Sequence, residues 1–190
     1  AYQGFVVGRY DVFSKQKKIE QVEISNSTIT SQVGIVGTVA GWVEAKSNAI
    51  VKLDDFKSSG TVETHAATAG GLIGHLDSTV SSQINASKFF FDGTVTVVNP
   101  NLAFLGGLIG TANCWQSAPI VLEYMHYKGT LTAPSPTFQQ GQIGGIVGAT
   151  SAGLKISKSV FEGLITFTGS TTSVYRVGGI AGKAQVHDVS

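Results

Sequence analysis

Apolar and polar residues alternate with a period of two in short stretches along the chain, and no helical period is sustained anywhere. The clearest stretches are Thr28-Ile29-Thr30, Thr61-Val62-Glu63, Thr94-Val95-Thr96, Thr130-Leu131-Thr132 and Leu164-Ile165-Thr166. Each is opened by Ser27 or by Gly60, Gly93, Gly129 or Gly163, and these starts lie 33, 33, 36 and 34 residues apart. Such alternation predicts half-buried strands with Ile29, Val62, Val95, Leu131 and Ile165 facing a core. An aromatic residue (Phe91, Tyr127, Phe161) stands two positions before the glycine in the last three copies. Further β-prone segments precede these, at Ile50–Leu53, Ile84–Ser87, Ile120–Leu122 and Ile156–Ser159, separated by residues that suit turns.

A glycine motif recurs with the same rhythm. Gly70-Gly71-Leu72-Ile73-Gly74 returns as Gly106–Gly110, Gly144–Gly148 and Gly178–Gly182, with degraded copies at Gly4–Gly8 and Val33–Gly37. The last glycines fall at 8, 37, 74, 110, 148 and 182, so the steps are 29, 37, 36, 38 and 34. Self-similarity at a fixed period identifies a repeat architecture. Three short strands per ~36 residues, repeated in order, predict an all-β fold, a parallel β-helix of about five coils in which one repeat forms one coil. Two shorter coils per repeat is the alternative. The whole chain, residues 1–190, then forms one solenoid domain, with Leu72, Leu108, Ile146 and Ile180 as an inward ladder beside the glycine corner.

Composition excludes several functions. Charged residues are 13% of the chain and the net charge is +1, with no basic stripe of the kind nucleic acid requires. No apolar run approaches a membrane span. Cys114 is the single cysteine, read as a small buried hydrophobe, so an intrachain disulfide is ruled out. Two triplets, Asn26-Ser27-Thr28 and Asn85-Ala86-Ser87, are N-glycosylation acceptors and favour an extracellular chain. The chain starts inside one repeat and runs eight residues past Gly182, which reads as part of a longer polypeptide or as a unit that associates end to end.

On the four intact glycine motifs, with Ile84-Asn85-Ala86-Ser87 and Gly93-Thr94-Val95 following in order, the chain resembles the GLUG-motif repeats. That resemblance implies a β-helical region of large secreted or cell-surface proteins such as adhesins. The expected function is therefore non-enzymatic: a structural or adhesive segment, whose partners are further coils, surface glycans or another cell surface. No cofactor and no metal is expected.

Two other functions have candidate residues. If coils stack in register, Thr28, Thr61, Thr94 and Thr130 form one outward ladder ending at Leu164, and Thr30, Thr96, Thr132 and Thr166 form a second, interrupted by Glu63. This lattice resembles the Thr-x-Thr arrays of β-helical antifreeze proteins, although Thr is also simply well suited to an exposed strand. A carbohydrate-active β-helix would need converging titratable groups. Asp54-Asp55, the His65, His75 and Asp77 group, and Glu123 with His126 are the candidates, each better explained as solvated polar positions. Trp42, Trp115, Tyr124 and Tyr127 are candidates for a sugar-binding surface, and the run Phe89-Phe90-Phe91 must place neighbours on opposite sides.

Overall fold

A computed structural model of the chain describes residues 1–32, 34–65, 68–98, 104–115, 118–134, 141–151, 153–168 and 176–184. Its regular structure is entirely strand, arranged as three parallel sheets in which each strand pairs with its counterpart one repeat away. Sheet I holds Tyr2–Gln3, Ile35–Val36, Thr68–Gly70, Phe104–Gly106, Gln142–Gly144 and Arg176–Gly178. Sheet II holds Val7–Val12, Ala40–Ala45, Ile73–Ser78, Ile109–Cys114, Val147–Thr150 and Ala181–Ala184. Sheet III holds Gln16–Ser31, Ile50–Thr64, Gln83–Val97 and Ile120–Pro134, and then Leu154–Ser157 and Val160–Thr168, which both pair with Ile120–Pro134. The chain visits the sheets in the order I, II, III in each of the five complete turns among the described residues. It is a parallel β-helix with one coil per repeat.

The three strands of a coil are divided differently from the sequence expectation. The glycine motif spans two strands: Gly70 ends a strand of sheet I, Gly71 and Leu72 bend, and Ile73 starts sheet II. The segments around Ile84 and Thr94, expected as separate short strands, run together as Gln83–Val97. This long strand is possible because one residue in each copy takes a left-handed backbone. Gln21, Asp55, Lys88, Tyr124 and Lys158 have φ of 57°, 57°, 56°, 56° and 50°, and pairing skips them. Each leaves two outward residues in succession, as at Asp54-Asp55, after which Phe56 turns inward again. A left-handed residue other than glycine costs roughly 1–3 kcal/mol. Two of these side chains reach across a coil: Lys158 Nζ donates to the Tyr124 hydroxyl at 2.9 Å, and Lys88 Nζ lies 3.6 Å from Asp54.

The interior is a set of stacked ladders. Phe56 and Phe89 stack at 4.7 Å between ring centres, and Phe91, Tyr127 and Phe161 stack at 6.0 and 5.7 Å with planes within 9°. Phe89 and Phe91 are buried while Phe90 points outward beside His126, as alternation requires. Leu72, Leu108 and Ile146 are fully buried at the bend, whereas Ile180 is 38% exposed in the last described coil. Cys114 is buried, and that burial pushes its thiol pKa up.

The second glycine of the motif and the aromatic ladder fit one another. A Cβ on Gly71, Gly107 or Gly145 would lie within 2.8 Å of the ring of Phe91, Tyr127 or Phe161 in the same coil. This relation also corrects the second copy of the motif. Ile35 and Val36 pair with Thr68 and Ala69, and Ala40 pairs with Ile73. The counterpart of Gly70–Gly74 is therefore Gly37-Thr38-Val39-Ala40-Gly41, not Val33–Gly37, of which Val33 lies outside the described residues. With 41 in place of 37 the last glycines step by 33, 33, 36, 38 and 34. Thr38 can replace glycine because Ser58 holds the place of Phe91 in its coil. There Thr38 Oγ1 donates to the Gly71 carbonyl at 2.6 Å.

Candidate functional site

The C-terminal half of each sheet III strand carries the threonines. Pairing puts Thr28, Thr61, Thr94, Thr130 and Leu164 in one column, and Thr30, Glu63, Thr96, Thr132 and Thr166 in the next. Between and beside them Val62, Val95 and Leu131 are fully buried, so both columns face outward. Neighbours lie ~4.8 Å apart along a column and ~6.7 Å apart across the two columns. Leu164, 62% exposed, ends the first column with an apolar side chain. Among the threonines of the two columns, Thr28 and Thr30 are exposed and the others partly covered. The chemistry of this face is that of hydroxyl and methyl groups at fixed spacing.

The acceptor asparagines differ in setting. Asn26 is exposed, has φ of 49°, and lies in an irregularity of the Gln16–Ser31 strand where its N–H donates to Ser59 Oγ at 3.0 Å. Asn85 lies within Gln83–Val97, partly covered, and its Oδ1 accepts from Gln83 Nε2 at 2.8 Å.

The titratable candidates do not converge. Ser87 Oγ donates to Asp54 at 2.7 Å, and this bond, aided by Lys88 and Lys18, holds the Asp54 carboxyl below its ordinary pKa. Glu123 accepts from Ser157 at 3.1 Å, and His126 Nε2 lies 3.2 Å from Glu162. Lys128 stands 3.6 Å from Asp92, and Arg9 pairs with Glu44 at 3.0 Å. Each of these contacts joins one coil to the next, so the polar groups act as lateral ties. His75 and Asp77 are together on one strand, 4.0 Å apart, but His65 follows the end of Ile50–Thr64 in a different sheet. Among the described residues no three His, Cys, Asp or Glu form a metal-binding group.

Searches against known protein families, curated proteins and solved structures give no match to this chain.

The aromatic candidates separate. Tyr127 is fully buried, which pushes its phenol pKa up, and its hydroxyl donates to the Gly93 carbonyl at 3.0 Å. Trp115 and Tyr124 are exposed. Trp42 belongs to a groove that the sequence reading missed. Register aligns Ile35, Thr68, Phe104, Gln142 and Arg176 on sheet I, and Trp42, His75, Thr111, Ala149 and Lys183 on sheet II. All but Arg176 line one groove of about 340 Å³. Trp42 is clamped there, its ring 3.9 Å from that of His75 and 5.4 Å from the Arg9 guanidinium. His75 Nδ1 is bonded to Thr111 Oγ1 in the next coil. A signal for these columns was present: one stands two residues before the motif's first glycine, the other just after its last.

Proposed function

We propose that this chain is a non-enzymatic structural and adhesive solenoid, working at the cell surface as part of a stalk or filament. The observation that carries this reading is the use made of its polar groups. Asp54, Glu123, His126, Asp92 and Glu44 are each tied to a side chain one coil away, an arrangement that stiffens a rod and commits these groups to lateral contacts. Exposed large apolar residues occur in every coil, among them Phe5, Val6 and Phe13 in the first and Val177 and Ile180 in the last described. Such surfaces suit stacking on further coils or on a second copy. The resemblance to GLUG repeats supports the same reading. Beads coated with the chain should be retained on glycan-bearing cells, saturably and in competition with free protein. Retention equal to that of beads carrying an unrelated protein would sink the adhesive role.

The register of the Thr columns favours a second reading, recognition of an ordered lattice such as ice. A thermal hysteresis assay tests it, with activity in the parent chain and its loss in Thr96→Tyr, which places a bulky ring in the middle of the second column. A parent chain without hysteresis removes this reading.

A further inference from the structure

Four buried side-chain nitrogen or oxygen atoms among the described residues have no hydrogen-bond partner: Trp42 Nε1, Ser58 Oγ, His75 Nε2 and Gln142 Oε1. Three of the four belong to residues that line the groove on sheets I and II. His75 and Gln142 are 5% and 7% exposed, so water reaches them poorly. An unmet buried donor or acceptor costs roughly 1–3 kcal/mol, a cost recovered if side-chain rotation carries it onto a polar ligand in the adjoining groove. The volume, about 340 Å³, is at the small end of the range for small-molecule sites, roughly 300–1,000 Å³. The lining comes from five successive coils, so the groove extends about 19 Å along the axis at ~4.8 Å per coil.

The chemistry narrows the ligand. Lys183 is the one side chain with a fixed charge among the described lining residues, too little cationic character for a phosphorylated or polyanionic ligand. The groove lies on sheet faces, so an extended peptide would find no free strand edge to pair with. A polyhydroxylated chain needs neutral donors and acceptors at regular intervals and an apolar surface for its C–H faces. Trp42 offers its N–H edge, since its faces are taken by His75 and Arg9. Gln142 offers an acceptor, and His75 Nε2 donates or accepts according to its tautomer. Phe104, partly exposed between them, supplies the apolar surface.

We propose that this groove is a binding site for a neutral glycan chain lying along the solenoid, with small side-chain rotations bringing Trp42 Nε1, His75 Nε2 and Gln142 Oε1 from their buried, unpaired positions onto its hydroxyls. The site gives the adhesive reading a ligand class, and rests on that reading only for the source of the glycan. The chain contains two tryptophans, so Trp115→Phe leaves Trp42 as the sole indole reporter. Titrating that variant with short neutral gluco-, galacto- and manno-oligosaccharides should give a saturable change in Trp42 emission with at least one of them. Adding Gln142→Leu should weaken that binding at least about tenfold while leaving thermal stability equal or higher, because it removes an unmet buried acceptor. No saturable change with any oligosaccharide overturns the site, as does unweakened binding after Gln142→Leu. Oligosaccharide binding without bead retention on cells keeps the groove and ends the adhesive role. Bead retention with no oligosaccharide binding does the reverse.

Discussion

Replacing Gly107 by alanine is expected to destabilise the protein by about 3 kcal/mol or more, at the upper end of what an overpacked core costs. The added Cβ would stand 2.1 Å from the Gly145 carbonyl oxygen and 2.5 Å from the ring of Tyr127. One obstacle is backbone in the next coil and the other a ring stacked on both sides, so neither moves alone. The backbone of Gly107 is not left-handed, which makes the penalty steric rather than conformational. Gly179 holds the same place in the motif but has nothing within 4 Å of its would-be Cβ, so Gly179→Ala should stay within about 0.5 kcal/mol of the parent. Denaturant unfolding of the two variants reads the difference. Equal stabilities would show that the motif's second glycine is not set by the aromatic ladder.

Tyr127→Ala should cost about 3–5 kcal/mol, the range for removing a large buried ring, because it empties the centre of the Phe91–Tyr127–Phe161 stack. Tyr127→Phe keeps the stack and loses the bond to the Gly93 carbonyl, for a cost of about 1 kcal/mol. The same residue sets a pH dependence. Burial raises the folded-state pKa of the phenol above its ordinary value of about 10, so the folded chain holds this proton more tightly than the unfolded one. The contribution is complete below about pH 10 and declines as pH rises beyond it, by up to ~1.4 kcal/mol per pH unit. Unfolding curves at rising alkaline pH should show that decline in the parent and less of it in Tyr127→Phe. A parallel decline in both would contradict the assignment.

Much of the coil was readable in the chain because the ladders repeat residue by residue. Thr28, Thr61, Thr94 and Thr130 share an offset from a glycine or serine, and the strands pair at those offsets, including Leu164 and Glu63 as interruptions. The reading failed where volume is exchanged between distant positions. Gly37–Gly41 lacks the second glycine since Thr38 faces a coil built with Ser58, and a search for Gly-Gly passes over it. The long strand is not legible in the chain because Lys88 and Tyr124 carry no mark of a left-handed backbone, a conformation that coil stacking imposes on them. The groove escaped for a different reason. Trp42, His75 and Gln142 come from three coils and two sheets, each ordinary alone, and only the stacking brings them together.

The left-handed column in sheet III also resets phase. Inward and outward positions are counted afresh after Gln21, Asp55, Lys88, Tyr124 and Lys158, so the half-strand before the corner and the half-strand after it keep separate parity. A change of length on one side would be absorbed at the corner instead of turning the other side's core residues toward solvent. The division is visible where Leu154–Ser157 and Val160–Thr168 are already two strands, parted at Lys158 and Ser159, both in register with Ile120–Pro134. Each long strand thus consists of two half-strands shorter than the repeat itself, and the parity of the Thr lattice is set apart from that of the Asp54 side of the same sheet.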